Sequence, residues 1–400
     1  MKILILSKKN PYPPRDGEAI AILNMAQGLA ASGHEIWLLT MNTTKHFTPP
    51  EEIPASLKNK IKFTIVNVNT KIRVIRLILN LLFSKTPYNA LRFRSQEYLL
   101  RLKDILESQS FDIIQTEGPY LDFCIPVIRG LSDAKISFRA HNMEYMIWER
   151  RAAATGNPFI KFYLNVLKRR IKNLETNLLG KIDALVPISE TDLAGFRQMG
   201  VKTPQFTCQA GIDMSTYNTA GPPEKTSLFF IGSLDWGPNT EGLDWFFGHV
   251  WPTVNIKYPA LKFYIAGRNS DFYFKGKKLH DHVINCGEIE DALQFMRDHS
   301  IMVVPLFSGS GIRIKILEGM AMMKTIITTA IGAEGITVTH EQDILIANTA
   351  KEFISWIDTL IASPERIMTI GTNARKLVTE NFDNLVLSKK LTDFYKEELL

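Results

Sequence analysis

The chain has 400 residues, too many for one ordinary core, so two domains of about 200 residues each are expected. Apolar residues make up 45% and charged residues 22%, which excludes extended disorder, and no window is long and apolar enough to span a bilayer. Three scattered cysteines (Cys124, Cys208, Cys286) argue against a disulfide framework and for a reducing, cytoplasmic compartment, and a net charge of +6 suits anionic substrates or an acidic membrane surface without implying nucleic acid.

The N-terminus, MKILILSKKN, carries too short an apolar run for a signal peptide and reads as a first strand over Lys2 to Ser7. A loop, Lys8 to Gly17, and a helix from about Glu18 to Ala31 lead to a second strand over His34 to Met41. This strand–helix–strand start favours a parallel, doubly wound sheet. The loop KKNPYPPRDG has one glycine where a dinucleotide fingerprint needs three, so a nicotinamide or flavin enzyme is disfavoured. Its prolines stiffen it, and Gly17 lets backbone approach a ligand at the helix start; a plain proline-rich connector accounts for the same residues.

Lys71 to Arg101 is basic and amphipathic, with Arg73, Arg76, Lys85, Arg92, Arg94 and Arg101 among Ile, Leu and Phe. Such a segment is either a solvated helix face or a peripheral contact with anionic lipid. Phe111 to Glu117 and Ile136 to Arg139 read as strands, and His141 falls just past the carboxyl end of the second, where open α/β sheets bind ligands. A packed or surface histidine is the plain alternative. Tyr145 to Gly180 predicts one or two basic helices, and Ala184 to Ile188 another strand, followed by a Ser189–Asp192 cap.

Gln209 to Thr226, with Gly211, Gly221, Pro222 and Pro223, reads as a linker around 211–226 between domains at 1–210 and 227–380. The pattern then restarts: strand Leu228 to Ile231, the loop GSLDWGPN opening on Gly232, a helix from about Thr240, and strand Leu261 to Ala266. A ligand cleft between two doubly wound halves is expected, with GEIED at Gly287 to Asp291 closing its wall. Ile301 to Gly335 reads as strand, glycine loop, helix and strand. Gly309 and Gly311 precede a helix carrying Arg313, Lys315 and Glu318. Free amides and two cations there suit an anion, and Gly311 and Glu318 should share one helix face. A silent glycine turn fits the spacing equally. Ser363 to Leu400 predicts helix, with a capping box at SPER.

Taken together, the loop with Gly17, AHNMEY at Ala140 to Tyr145, ISETD at Ile188 to Asp192, QAGID at Gln209 to Asp213, FIGSLDWGPNTEG at Phe230 to Gly242, GSGIRIKILEGMA and NAR at Asn373 to Arg375 resemble a retaining glycosyltransferase of the family-4 type (glycosyl transferases group 1). The resemblance runs the whole length. It implies a GT-B fold, two Rossmann-like domains facing across a cleft, with a C-terminal helix (381–400) crossing back to the first. It also implies transfer of a hexose from a nucleoside diphosphate sugar, with retention, no metal and no cofactor, to a glycan or lipid-linked acceptor in cell-surface polysaccharide or glycolipid synthesis. The enzyme would be cytoplasmic, at the inner face of the membrane.

Residue by residue, the resemblance gives Glu318 the donor ribose and His141 the donor sugar. Arg313 and Lys315 take the phosphates, joined by the backbone of Ser310, Gly311 and Ile312, with Gly17 and Gly232 close to the donor. The family's first glutamate falls on Ser310 here, its Arg and Lys after the strand at Leu228 are absent, and the second glycine after Gly17 is Glu18. A front-face reaction, with the leaving phosphate oxygen taking the acceptor proton, is what the resemblance suggests. A nucleotide-sugar epimerase and a non-catalytic nucleotide- or glycan-binding protein stay open. Other chemistries test poorly: there is no D-x-D site, no G-x-S-x-G elbow, no Walker loop and no H-E-x-x-H helix, and His280, His282 and Cys286 lack a fourth zinc ligand.

Overall fold

A computed structural model describes residues 1–14, 16–45, 47–219, 225–309 and 311–400, so Ser310 and the expected linker residues Gly221, Pro222 and Pro223 lie outside the described residues. The chain forms two compact units, one of Met1–Gly211 with Asn384–Leu400 and one of Ile212–Asp383.

The first unit holds β1 (Lys2–Ser7), β2 (Glu35–Thr43), β3 (Ile61–Val68), β4 (Ile113–Glu117), β5 (Lys135–Ala140) and β6 (Ala184–Pro187), in the order β3-β2-β1-β4-β5-β6. All its pairings are parallel. Ile3, Leu4, Ile5 and Leu6 are wholly buried, as expected of a strand covered by helices on both faces. The second unit repeats the plan with β7 (Leu228–Ile231), β8 (Phe263–Ala266), β9 (Val283–Asn285), β10 (Ile301–Val304), β11 (Thr325–Thr328) and β12 (Leu345–Ile346), in the order β12-β11-β10-β7-β8-β9. Chain direction across each sheet reverses once, between β1 and β4 and between β10 and β7. Those are the switch points where an open parallel sheet leaves a crevice past its carboxyl ends.

Helix Gly17–Ala31 is started by Asp16, whose side chain accepts from the Ala19 amide at 3.0 Å. The last helix, Asn384–Glu398, packs on it so tightly that a Cβ on Gly28 would lie 2.4 Å from Ser388 Oγ. Its apolar stripe, Leu387, Leu391 and Tyr395, is buried in the first unit. Ile212, Met214 and Tyr217 belong to the second unit's core, although their surroundings read as linker by composition.

Several local expectations are corrected. The strand expected over Ile301 to Phe307 stops at Val304, because Pro305 has no N–H for the ladder. Lys71 to Arg101 is broken into helices Val74–Phe83 and Tyr88–Leu91 and the start of Gln96–Ser108, with Pro87 directly before the second. Ser363 makes no side-chain cap; the capping box sits at Thr349 and Glu352 instead. Among the described residues no helix is long and apolar enough to cross a membrane.

Candidate functional site

In the second unit the candidate residues gather past the carboxyl ends of β7 and β10. The helix after β10 spans Ile314–Ala321, so Gly311 lies outside it and does not share a helix face with Glu318. Gly309 and Gly311 take φ of 107° and 81°, conformations that close the helix to its N-terminal side. Arg313 therefore stands at the N-cap and makes no side-chain cap, so its guanidinium leaves the first-turn amides uncapped. Lys315 and Glu318, three apart, share one helix face.

Arg313 is buried; it donates to the Gly311 carbonyl and lies 5.8 Å from the Trp236 ring, while its Nε and Nη2 have no hydrogen-bond partner among the described residues. Lys315 keeps some exposure, but its ammonium is enclosed, 2.8 Å from Asn239 Oδ1 and 4.2 Å from the Phe230 ring centre. Burial, then the neighbouring Arg313 charge, pulls the Lys315 pKa down to about 7. Burial lowers Arg313 as well, only partly opposed by Glu334. Among the described residues no carboxylate pairs with either cation. Glu318 Oε1 accepts from the Tyr217 hydroxyl at 3.1 Å and enters no ion pair among the described residues; burial lifts its pKa and the tyrosine opposes the lift.

Gly232 is fixed by crowding. A Cβ there would come within 3.0 Å of Asn239 Nδ2 and 3.1 Å of Lys315 Nζ. Asn239 in turn donates to the Ser233 carbonyl at 2.8 Å, which fixes its amide so that Oδ1 is left for the lysine. The helix bearing Asn239 begins at Gly237, a turn earlier than the expected Thr240, with Pro238 in its first turn. Ile312 packs against Gly335, and Asp291 of the GEIED stretch caps helix Ala292–Arg297. Ser310 lies outside the described residues.

The first unit sets a different site past β1, β4 and β5. His141 Nε2 lies 2.6 Å from Glu117 Oε2, and Arg139 Nη1 is 3.6 Å from the same oxygen and 3.1 Å from the Ala21 carbonyl. Burial would raise Glu117, but Arg139 and then His141 hold its carboxyl below the usual range, so it is an acceptor only. Everything behind it is then fixed in direction. Gln115 Nε2 donates to Glu117 at 2.5 Å, the Tyr395 hydroxyl donates to Gln115 Oε1 at 2.9 Å, and Ser137, 2.8 Å away, donates to Tyr395. His141 gives its Nε2 proton to Glu117, while its Nδ1 has no partner among the described residues.

Beside this chain Lys8 and Lys9 both reach Glu18 at 3.0 Å, and Lys9 reaches Asp16 at 2.6 Å. Burial opposes ionisation of Glu18, yet the two lysines hold its pKa far below the ordinary value. Gly17 has open space where a Cβ would stand. Of the residues singled out in the sequence, the second unit thus brings together Gly232, Gly311, Arg313, Lys315 and Glu318, and the first brings Gly17 and His141 to the carboxyl end of its sheet. Sequence reasoning missed Lys8, Lys9, Glu117, Arg139, Tyr217 and Asn239. Only the lysine pair directly after β1 carried a visible signal. Among the described residues no cluster of three or more His, Cys, Asp or Glu is arranged for a metal ion, and His280 stacks on Phe247.

Residues 15–215 match the model for Glycosyltransferase Family 4, and residues 225–363 match that for Glycosyl transferases group 1. The chain belongs to glycosyltransferase family 4. This glycosyltransferase is 24% identical over 408 residues to a 44.6 kDa protein in the cps region of Klebsiella pneumoniae, with 99% of each chain covered. Among solved structures it is similar to sucrose-phosphate synthase from Thermosynechococcus elongatus, with a TM-score of 0.69, 16% identity and 99% of both chains covered. It is also similar to HepE from Anabaena, solved with UDP and glucose, with a TM-score of 0.66, 13% identity, and 99% of this chain and 100% of that one covered. These likenesses show the two-domain GT-B fold.

Proposed function

We propose that the glycosyltransferase moves a hexose from a nucleoside diphosphate sugar to a glycan or lipid-linked acceptor, with retention and without a metal, in the synthesis of a cell-surface polysaccharide. The observation that carries this reading is the helix start at Ile314: among the described residues, two enclosed cations have no carboxylate partner and a carboxylate one turn on is in no ion pair. A diphosphate supplies the missing negative charge, with Arg313, Lys315 and the amides of Gly311 and Ile312 as donors. Glu318 then accepts from the ribose hydroxyls. The cations stabilise the departing diphosphate, whose oxygen takes the acceptor proton on the same face of the sugar. His141, its Nδ1 without a partner among the described residues, contacts the donor sugar. Solved relatives bound to UDP and glucose, and the cps-region protein, support the donor class and the pathway. A lipid-linked acceptor implies work at the inner face of the membrane.

The test is calorimetric titration of UDP and GDP into the wild type and Glu318→Ala, followed by a product assay with the matching nucleotide sugar. Loss of hydrogen bonds to a charged group predicts affinity lower by about tenfold or more in the variant. Unchanged affinity removes Glu318 from the ribose. Isomerised free donor would identify an epimerase instead, and tight binding with no turnover a binding protein.

A further inference from the structure

Helix Val74–Phe83 is turned the wrong way round for a helix of a solvated domain. Its protein side carries Asn80, buried and bonded to the Thr86 carbonyl at 3.0 Å. Its solvent side carries Val74, Ile75, Ile78, Leu79, Leu82 and Phe83, with Ile75 75% and Phe83 82% exposed. Inward, only Leu77 and Leu81 are even half-buried, too little to be the ordinary reason for such a pattern, and an apolar patch of this extent marks a contact surface. A second group extends it. Helix Pro158–Leu179 begins with Phe159, Ile160 and Phe162, all exposed, Phe159 by 85%. The two helices are tied side by side, Arg170 donating to the carbonyls of Asn80 at 3.0 Å and Leu81 at 2.7 Å. Near their other ends, Tyr163 feels Tyr88, which accepts from the Arg73 amide at 3.0 Å. The apolar starts and sides therefore lie on one neighbourhood of the first unit.

Charge decides what covers it. The sequence has no Asp or Glu from Ile53 to Gln96, or from Arg150 to Leu174. Lys71, Arg73, Arg76, Lys85, Lys161 and Arg169 flank the patch, exposed and in no ion pair among the described residues. Pairing with a second copy would set these cations against each other. At the end of the first helix a cavity of about 280 Å³, lined by Lys85, Arg94, Arg170 and Lys181, adds a cationic recess with Asp122 as its acidic member. We infer that helix Val74–Phe83 and residues 159–162 dock the protein on an anionic lipid bilayer, the apolar side chains entering the acyl boundary and the flanking cations, with the recess, meeting phosphate headgroups. Of the segment 71–101 read from sequence, helix Gln96–Ser108 takes no part, since its apolar side is buried. The inference rests on the membrane-linked acceptor only for its purpose; docking needs neither donor nor turnover.

Co-flotation of the full chain with vesicles tests it, using phosphatidylcholine alone and phosphatidylcholine mixed equally with phosphatidylglycerol. The wild type should bind the mixed vesicles and lose binding as salt rises. Ile75→Asp with Leu82→Asp should abolish binding to the mixed vesicles, at exposed positions where folding is spared. Arg76→Glu with Lys85→Glu should weaken binding to the mixed vesicles by about 25-fold or more, about fivefold for each cation removed. Melting temperature and UDP affinity serve as controls, so a failure of donor binding is read apart from a failure of docking. No binding by the wild type, equal binding by the variants, or a lipid-free dimer dissolved by the aspartates would overturn the inference.

Discussion

Lys315→Met isolates the electrostatic expense of the proposed diphosphate site. Folding drops the lysine from 10.5 to about 7, a penalty on the charged form of at most about 5 kcal/mol. Methionine keeps the stem and removes the charge, at the loss of the Asn239 hydrogen bond, worth about 1 kcal/mol. Partial exposure of the residue lowers the gain further, so the variant should be about 2–3 kcal/mol more stable at pH 7. The sign of the pH dependence is fixed. Between about 7 and 10.5 the unfolded lysine holds its proton and the folded one does not, so wild-type stability rises with pH relative to the variant. The gap should be flat below pH 7 and close by at most about 1.4 kcal/mol per pH unit above it. Lys324, also lowered by burial to about 8, is present in both proteins and cancels. Urea unfolding from pH 6 to 9, following the second unit's transition, measures the gap, and UDP titration measures the function lost. A variant less stable than wild type at pH 7, a gap indifferent to pH, or unaltered UDP affinity would refute the reasoning.

Two predictions concern the first unit. Tyr395→Phe removes the hydroxyl that satisfies Gln115 and receives Ser137, leaving two buried groups short, and should lower stability by about 1–3 kcal/mol in denaturant unfolding. Glu117→Gln leaves Arg139 buried without its counter-charge and should cost about 3–5 kcal/mol at pH 7. Because Glu117 is held below the ordinary 4.5 when folded, its contribution is full above that pH and is lost as pH falls below it; acid titration of stability should show that loss in wild type and a weaker one in the variant.

How much of this was legible follows from the range of each interaction. Strands such as Ile3–Leu6 are continuous apolar runs, and continuity is local, so the doubly wound plan could be read directly. Arg313, Lys315 and Glu318 lie within one motif and were found together. Their partners were not, because Asn239 stands 76 residues from Lys315 and Tyr217 stands 101 from Glu318. Tyr395 reaches Gln115 across 280 residues, a pairing that no spacing rule encodes. Helix Val74–Phe83 shows the opposite limit. Its periodicity reveals an apolar side, but periodicity is blind to which side meets the protein, and here Asn80 does. Gly311 was misplaced on the helix because spacing counts residues and ignores a left-handed φ.

The two switch points differ in charge closure, and that difference orders the functional reading. Past β1, β4 and β5 every enclosed cation among the described residues has a carboxylate: Lys8 and Lys9 have Glu18 and Asp16, and Arg139 has Glu117. A polyanion arriving there would compete with ligands already in place. Past β7 and β10, Arg313 and Lys315 are enclosed with no carboxylate paired to either among the described residues, and burial drives both toward losing their protons. Enclosed charge without a partner persists only where something repays it, and a bound anion does so by raising the lysine's proton affinity as it binds. UDP binding near pH 8 should therefore take up protons, visible as a dependence of the calorimetric enthalpy on the buffer's ionisation enthalpy, and that uptake should vanish in Lys315→Met.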